Sequence, residues 1–352
     1  MERMRQPRTV LAWANAAMLL LALLLLAGFF GRFHPAFDTL AHFRAHLSVL
    51  AALLALPVLA TSQRFLAFSV LVFAATSFST TSFAPHLPGQ VQADFSPAPA
   101  DQPLYRLLQM NLRYDNATPG KALSLIGRTK PDVVTLDEVS DMWRSKLALL
   151  SAAYPHSIFC PYPNLVFGVA ILSRRPFAAG SEPVCFERGA MAVATVDFGG
   201  QEIDVAALHL AWPWPSHQAW QIGAISEPLS ELSESALLAG DLNATPWSAA
   251  ARRVAEAGAL TLAPSAGPTW LYWRLPGLLR FAGLPIDNVL FKGDVIVHDV
   301  RTLEETGSDH LPVQVEFSLR LPADEPEDKR ESAIALVGRS LSLLRQSGSI
   351  SD

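Results

Sequence analysis

The stretch Leu237-Leu238-Ala239-Gly240-Asp241-Leu242-Asn243-Ala244-Thr245-Pro246 decides how the rest of the chain is interpreted. It begins as a short apolar strand, and an Asp and an Asn follow Gly240 two residues apart. Side chains alternate along an extended chain, so Asp241 and Asn243 are predicted to lie on the same side. Pro246 keeps the strand from continuing. A carboxylate beside an amide at a strand end suits the orientation of a water or a phosphate oxygen, whereas the alternative is a plain Gly-Asp turn.

Five other predicted strand ends carry matching polar chemistry. They are Gln109-Met110-Asn111, Asp137-Glu138, Leu208-His209, Ile286-Asp287 and Ser308-Asp309-His310. Each alone has an ordinary explanation, because Asn and Asp are common turn residues and a lone His or Glu is commonly solvated. Five such ends in one stretch of chain favour a shared site over coincidence.

The pattern around these ends is that of an α/β domain. Candidate strands cover residues 106–111, 133–138, 169–173, 192–197, 203–209, 236–241, 286–291, 295–300 and 313–319. Candidate helices cover residues 120–128, 142–153, 217–232 and 249–257. Many strands with interspersed helices over 105–320 suffice for one domain with a sizeable core.

The N-terminal region is unusually apolar. Of the 352 residues, 50% are hydrophobic and 17% are charged, which is too apolar for an ordinary soluble protein. Uncharged runs near 10–30, 46–62 and 65–82 predict a membrane anchor of three helices over 1–83. A cleaved signal peptide is the alternative for the first run. A Pro-rich linker is predicted over 84–104, and a polar, partly helical or disordered tail over 321–352.

Basic residues bear on membrane orientation. Arg3, Arg5 and Arg8 precede the first run and favour a cytoplasmic N-terminus. Three crossings would then place the globular domain on the extracytoplasmic side, although Arg32 and Arg44 in the first loop argue against that. We therefore expect a multi-pass integral protein of the inner or plasma membrane.

The ordered motifs resemble those of the endonuclease/exonuclease/phosphatase superfamily, which contains deoxyribonuclease, abasic-site endonuclease, sphingomyelinase and inositol-polyphosphate phosphatase. The resemblance spans about 105–318. The matching segments are Asn111, Leu136-Asp137-Glu138-Val139, His209, Gly240 to Pro246 and Ser308 to Pro312. It implies an α/β fold, a four-layer α/β sandwich of two packed mixed β-sheets flanked by helices, here preceded by the N-terminal three-helix transmembrane region.

The resemblance also implies a divalent-metal-dependent hydrolase of phosphoric esters. Glu138, with Asn111 and Asp309 nearby, would bind the metal. Such hard oxygen ligands suit Mg²⁺ or Mn²⁺, and no Cys/His cluster has the spacing of a zinc site. The family's substrates make a phospholipid, a nucleic acid or a small phosphoester the expected partner, and no protein partner is indicated.

Catalytic roles follow from the same resemblance. Asp241 would orient or deprotonate the attacking water, and Asn243 would help to position it. Asp287 would fix the tautomer of His310, which would act as a base or as a cationic contact to the phosphate. His209 would contact the phosphate from the other side. Which histidine is acid and which is base stays open, and a non-catalytic member that binds a ligand or partner is the alternative.

Two positions depart from the family pattern. Asp137 stands where relatives commonly have Gln, and alternation predicts that its side chain points away from the metal ligands. Asn288 stands where many relatives have His or Tyr, which weakens any analogy of substrate.

Substrate signals are mixed. The net charge is −5, and the domain has no Lys/Arg run beyond Arg174-Arg175 and Arg252-Arg253, which weakens the case for a nuclease. Aromatic residues cluster around the motifs, namely Trp212, Trp214, Trp247, Trp270, Tyr272 and Trp273. The apolar segment 269–281 is either an insert packed on the domain or a loop at a membrane interface, and aromatic residues also stack on bases.

Cys160 and Cys185 are the two cysteines of the chain. They would pair in an oxidising compartment, and free buried thiols are the alternative.

Overall fold

The computed structural model describes residues 8–83, 103–161 and 168–320. Nearly all of the predicted linker and the whole predicted tail lie outside these ranges. The helices are α1 (Arg8–Ala27), α2 (Pro35–His42), α3 (Arg44–Val58), α4 (Arg64–Ser79), α5 (Pro119–Thr129), α6 (Asp141–Leu147), α7 (Gln218–Ala224), α8 (Ser226–Ser230) and α9 (Ala249–Gly258).

The strands form two mixed sheets. They are β1 (Tyr105–Asn111), β2 (Val133–Asp137), β3 (His156–Cys160), β4 (Val169–Ser173), β5 (Val184–Phe186), β6 (Met191–Asp197), β7 (Glu202–Leu208), β8 (Ala236–Asp241), β9 (Thr261–Leu262), β10 (Asp287–Lys292), β11 (Val295–Thr302) and β12 (Val313–Leu319). Sheet one has the order β11-β12-β1-β2-β4-β3, and sheet two has the order β5-β6-β7-β8-β10-β9. In the described chain, β1 pairs with β2 in parallel, as β7 does with β8.

The sheets pack face to face, and helices cover their outer faces. Successive side chains of β1 point to opposite faces of sheet one. Leu107 belongs to the core between the two sheets, while Leu108 faces α5 and α6. Likewise in β8, Leu237 faces the central core while Leu238 packs with the layer of α7, α8 and α9. Burial of both faces explains why these strands are apolar throughout. The predicted α/β sandwich of two packed mixed sheets flanked by helices is therefore confirmed.

Cys160 and Cys185 form a disulfide, with their Cα atoms 5.6 Å apart. Cys160 ends β3 at the edge of sheet one, and Cys185 lies in β5 at the edge of sheet two. The bond therefore joins the two sheets at one side of the sandwich, and the alternative of free thiols is wrong.

The prediction of three membrane helices is wrong. Within the described ranges, one helix is long and apolar enough to cross a bilayer, residues Thr9–Phe30. The second predicted run lies in α3, which together with α2 forms a pair bent by 66°, so that at most one further span is available there. α4 has 16 residues, or about 24 Å, which falls short of a hydrocarbon core of about 30 Å. The structure therefore does not support the predicted multi-pass arrangement. The predicted orientation, which assumed three crossings, is not supported either.

Helix α2 was not predicted, and it lies against the sandwich. Pro35 occupies its first turn, and the His34 side chain accepts a hydrogen bond from the Ala36 N–H at 3.1 Å. Its Asp38 carboxylate accepts hydrogen bonds from the Ala249 and Ala250 N–H groups, at 2.6 and 2.8 Å, and so caps α9. The hydropathy pattern did not indicate this helix because one of its faces is polar and contacts the sandwich.

Candidate active site

The site lies at one end of the sandwich, where the carboxyl ends of β1, β2, β7 and β8 meet. Asn111 is the last residue of β1 and Asp241 the last of β8. Asp287 begins β10 directly opposite Asp241, because the antiparallel register pairs these two residues. The sandwich therefore brings together residues that are distant in sequence, such as the hydrogen-bonded pair Gln109 and Asp287, which are 178 positions apart.

Asn111 joins the two sheets at this end. Its Nδ2 donates to Asp241 Oδ2 at 3.0 Å and to Glu138 Oε1 at 3.1 Å. Its Oδ1 accepts a hydrogen bond from the Arg113 N–H at 2.9 Å. The amide thus lies between two carboxylates, one from each sheet.

Glu138 reaches the site because the chain turns sharply after β2. Its φ is 57°, in the left-handed region, and its Oε2 accepts a hydrogen bond from the Tyr114 N–H at 2.9 Å. Burial raises the pKa of Glu138, and the nearby Asp309 carboxylate adds to this effect. Asp309 is half-buried at the rim, where its Oδ2 accepts a hydrogen bond from Trp270 Nε1 at 3.2 Å.

Asp137 also serves the site, contrary to the alternation argument. The left-handed turn at Glu138 ends the strand, so that consecutive carboxylates approach the same site. Asp137 Oδ2 accepts hydrogen bonds from the Asp241 N–H at 2.8 Å and from Gln109 Nε2 at 2.9 Å. Burial and the neighbouring Asp241 raise the pKa of Asp137 well above its usual value. Asp137 therefore holds the backbone of Asp241 in place through a hydrogen bond.

Gln109 is a supporting residue that the sequence assignment missed. Its Nε2 bridges Asp137 Oδ2 and Asp287 Oδ1, at 2.9 and 3.1 Å. The available signal was its spacing, because Gln109 precedes Asn111 by two residues and therefore lies on the same face of β1.

His310 and Asp287 form a buried pair. The imidazole Nδ1 donates to Asp287 Oδ2 at 2.8 Å, and Nε2 lies 3.5 Å from Asp241 Oδ2. Burial alone would lower the pKa of His310, but Asp287, Asp241 and, to a smaller extent, Asp309 outweigh it and raise that pKa to about 10. Burial likewise opposes ionisation of Asp287, yet the charge and hydrogen bond of His310 hold its pKa below the usual value. At neutral pH the pair is an imidazolium and a carboxylate.

His209 is in the opposite charge state. Its Nε2 lies 3.6 Å from Asp241 Oδ2, and burial together with the charge of His310 lowers its pKa to about 3. A neutral imidazole and an imidazolium therefore flank the same carboxylate oxygen. Burial raises the pKa of Asp241 itself to about 7.

Asn243 holds the loop after β8 in place. It adopts a φ of 46°, and its backbone N–H donates to Asp241 Oδ1 at 2.8 Å. Its side-chain Nδ2 donates to the Leu210 carbonyl at 2.8 Å. Its own carbonyl accepts hydrogen bonds from Gln218 Nε2 and from His42 Nε2 of α2, at 3.0 and 3.1 Å.

The structure thus brings together the eight residues that the sequence proposed, with Asp309 at the rim. They are Asn111, Glu138, His209, Asp241, Asn243, Asp287, Asp309 and His310. Potential ligand atoms of Asp241, Asp287 and His310 all lie within 4.8 Å of one another, so that these three residues could hold a metal ion. This trio differs from the predicted ligand set of Asn111, Glu138 and Asp309.

Comparison with known sequences identifies one family. Residues 108–310, more than half of the chain, match the model of the Endonuclease/Exonuclease/phosphatase family. No curated protein matches the chain.

One of the solved structures similar to this chain has a TM-score above 0.5 and shares the fold. An endonuclease/exonuclease/phosphatase family protein from Bacteroides thetaiotaomicron is 16% identical, with a TM-score of 0.52 over 62% of this chain and 99% of its own. A protein described as endonuclease/exonuclease/phosphatase from Beutenbergia cavernae is 24% identical, with a TM-score of 0.46 over 61% and 72%. D. rerio TDP2, complexed with a single-strand DNA product, is 18% identical, with a TM-score of 0.49 over 61% and 99%.

Proposed function

Because the chain belongs to the Endonuclease/Exonuclease/phosphatase family, we propose that it hydrolyses phosphoric esters with the help of a divalent metal ion. One observation carries this proposal. Asn111 Nδ2, His310 Nε2 and His209 Nε2 converge on a single oxygen, Asp241 Oδ2, at 3.0, 3.5 and 3.6 Å. A carboxylate flanked by two imidazoles in different charge states provides both a proton acceptor and proton donors.

The buried carboxylates fit a hard cation. Glu138 and Asp241 have raised pKa values because they are buried, and a bound cation would relieve the cost of ionising them. His310 is a poor ligand in comparison, because metal binding needs a neutral imidazole and this one is held protonated by Asp287 and Asp241. We therefore favour a site on Glu138 and Asn111, with Asp309 at its edge, over the trio that contains His310.

Oxygen ligands of this kind favour Mg²⁺ or Mn²⁺. When bound, such an ion neutralises charge on the phosphate and stabilises the leaving oxygen. The remaining steps belong to the protein. Asp241, held by the Asn243 and Asp137 contacts, orients the attacking water and accepts its proton. The His310 imidazolium donates a hydrogen bond to a phosphate oxygen, and Asp287 keeps it charged and oriented. His209, neutral, donates from the other side.

We also propose that the apolar helix Thr9–Phe30 is a membrane anchor that stays on the protein. Met18 of α1 is fully buried in a cluster with Ala51 of α3 and Ala67 of α4, so that removal of α1 would expose this cluster. The Cys160–Cys185 disulfide favours an oxidising compartment and therefore an extracytoplasmic site.

The test is hydrolysis by the full-length protein, purified in detergent, with Mg²⁺, Mn²⁺ or EDTA. The panel holds bis(p-nitrophenyl) phosphate, single- and double-stranded DNA, and phospholipid vesicles. Asp241→Asn and His310→Gln are the test variants, and Asp141→Asn, at an exposed carboxylate of α6, is the matched control. Turnover that is lost in EDTA and in both test variants, but not in the control, supports the proposal.

Two results would contradict it. Activity that persists in EDTA would remove the metal from the reaction. A folded protein that binds Mn²⁺ but turns over none of the esters would favour the non-catalytic, ligand-binding alternative. DNA as the fastest substrate would select a nuclease within the same reaction class.

A further inference from the structure

An apolar cleft opens beside the catalytic carboxylates, and the proposed mechanism does not use it. Its volume is about 300 Å³. One wall comes from the sandwich, through Trp212, Trp214, Trp270 and Leu284, and the other comes from Thr39 and the following residues of the N-terminal helices. Pockets of this size and lining are typical of sites for small apolar groups.

The cleft is continuous with the candidate active site. Asn243 belongs to both, and its N–H holds Asp241 Oδ1 at 2.8 Å. Ile286 lines the cleft and directly precedes Asp287. Trp270 lines it as well, while its Nε1 donates to Asp309 Oδ2 at 3.2 Å. A molecule whose phosphate lies at Asp241 would therefore have its neighbouring substituent at the mouth of the cleft.

The N-terminal wall of the cleft is held firmly. His42 Nε2 is bonded to the Asn243 carbonyl at 3.1 Å, and Trp247 Nε1 donates to the Ala41 carbonyl at 2.7 Å. The Asp38 carboxylate caps α9, as described above. These hydrogen bonds attach helix α2 to the sandwich, so that α2 forms a fixed wall of the cleft.

Two polar side chains of the lining, those of His42 and Thr39, are engaged within the protein. The His42 ring nitrogens each lie close to a carbonyl oxygen, Nδ1 at 2.7 Å from that of Asp38 and Nε2 at 3.1 Å from that of Asn243. Thr39 Oγ1 is within 3.2 Å of the Pro35 and Trp214 carbonyls. Among the described residues that line the cleft, none is an Asp, Glu, Lys or Arg. A lining made mostly of Trp, Pro, Leu and Ile side chains favours an alkyl chain, which needs no hydrogen-bond partner.

The mouth of the cleft continues into an exposed apolar surface. Trp212 and Trp214 are 51% and 50% exposed, and Phe43 is 44% exposed. Phe33, just before α2, is 81% exposed. Tryptophan is enriched at membrane–water interfaces, and this surface adjoins the helix that we propose as the anchor.

We propose that the cleft binds the alkyl chain of an amphipathic phosphate ester, so that the substrate class of this enzyme is lipid-like phosphoesters. This inference rests on the proposed hydrolase function. The phosphate would lie at Asp241 and His310, and the adjoining chain would run between Trp214 and Thr39. Hydrolysis would break the P–O bond to the leaving alcohol. The water oxygen would form the new P–O bond, and a proton from the water would leave with the alcohol.

The test compares p-nitrophenyl phosphodiesters that carry a methyl or an octyl group, each below its critical micelle concentration, with the full-length protein. A buried methylene contributes about 0.8 kcal/mol, or roughly fourfold, to binding. We therefore expect kcat/KM for the octyl ester to exceed that for the methyl ester by about 100-fold or more. Thr39→Phe, which fills the cleft, should lower this ratio to below about tenfold. Thr76→Phe on the exposed side of α4 is the matched control and should leave the ratio unchanged.

A binding measurement separates the cleft from catalysis. In EDTA, 8-bromooctyl phosphate should quench tryptophan fluorescence of the wild-type protein and of Thr76→Phe, but much less that of Thr39→Phe. Equal kcat/KM for both esters, or quenching that Thr39→Phe does not weaken, would overturn the inference while leaving the hydrolase proposal in place. A thymidine ester preferred over the octyl ester would also overturn it and assign the cleft to a base. Octyl-dependent quenching without turnover of any ester would instead overturn the hydrolase proposal.

Discussion

At the scale of single residues, the charge state of His310 is the most informative property of the site. Asp287 has the largest of the carboxylate effects that raise the pKa of His310 to about 10 against the effect of burial. In Asp287→Asn we expect this pKa to fall toward or below the usual 6.5, so that the imidazole is neutral at pH 8. Histidine ¹⁵N shifts followed against pH measure the change directly.

The same pair has a stability consequence with a definite sign. A histidine whose pKa is raised on folding stabilises the fold fully below about pH 6.5, and this contribution is lost as the pH rises through about 10. The difference in unfolding free energy between wild type and Asp287→Asn should therefore shrink over this range. A difference that does not change with pH would show that His310 is already neutral in the wild-type fold.

Asp137 offers a second residue-scale prediction. Burial raises its pKa, and its Oδ2 accepts hydrogen bonds from the Asp241 and Gln109 N–H groups. Asp137→Asn keeps an acceptor oxygen, and we expect kcat within about tenfold of wild type. Asp137→Leu strands both donors, at a cost of about 1–3 kcal/mol each, and should lower both stability and kcat. Equal losses in the two variants would mean that the charge of Asp137 is required.

Sequence reasoning at this scale worked where residue type and order carried the signal. The eight candidate residues do converge, because they lie at strand ends or in the loops next to them, and these ends share one edge of the sandwich. It failed for Asp137, because a left-handed residue at Glu138 breaks the alternation that the argument assumed. It missed Gln109 because an amide within a buried strand has no motif of its own.

At the scale of elements, the docking of α2 on α9 makes the next prediction. Asp38 accepts from two N–H groups in the first turn of α9, in addition to the cap that Ser248 provides to Ala251. Loss of a helix cap costs about 0.5–2 kcal/mol, so Asp38→Ala should lower the unfolding free energy by about that amount. Urea unfolding in detergent measures it, with Glu182→Ala at an exposed loop position as the control. An unchanged midpoint would mean that α2 is not seated on α9 in solution.

Strands were predictable as elements because they are buried on both faces and bounded by turns. The central strands β1, β2, β8 and β12 begin and end within one residue of their predicted bounds. The edge strands β3 and β5 and the two-residue β9 were not predicted. In β5 and β9, three or fewer residues carry no periodicity. The predicted helix over 217–232 is two helices, α7 and α8, which meet at Ile225.

At the scale of the whole molecule, the disulfide is a link between the two sheets. It closes a loop with a sequence separation of 25, for which chain entropy predicts a stabilisation of about 3.5 kcal/mol. The double variant Cys160→Ala/Cys185→Ala should therefore melt at a clearly lower temperature than the oxidised wild type. Reduced wild type should melt near the double variant, and a melting temperature that does not respond to reductant would contradict the link.

The membrane region shows the limit of hydropathy at this scale. Three apolar runs of similar composition were read as three spans, yet one has the length of a span, one is bent against a neighbour and one is too short. Composition reports that a segment avoids water, but not whether lipid or protein covers it. The capping of α9 by Asp38 shows that protein covers part of α2. This contact joins residues that are distant in sequence, so a hydropathy average over neighbouring residues cannot indicate it.

The seating of α2 bears on how the protein should be produced for experiments. A soluble fragment cut near residue 103 would look like a natural choice, because it contains every motif of the family. It would also lose Asp38, Ala41 and His42, and with them the bonds to Ala249, Trp247 and Asn243. Such a truncation would loosen the loop that carries Asn243 and leave the cleft with one wall. Weak or unselective activity of the fragment would then be a consequence of the truncation and not a property of the intact protein.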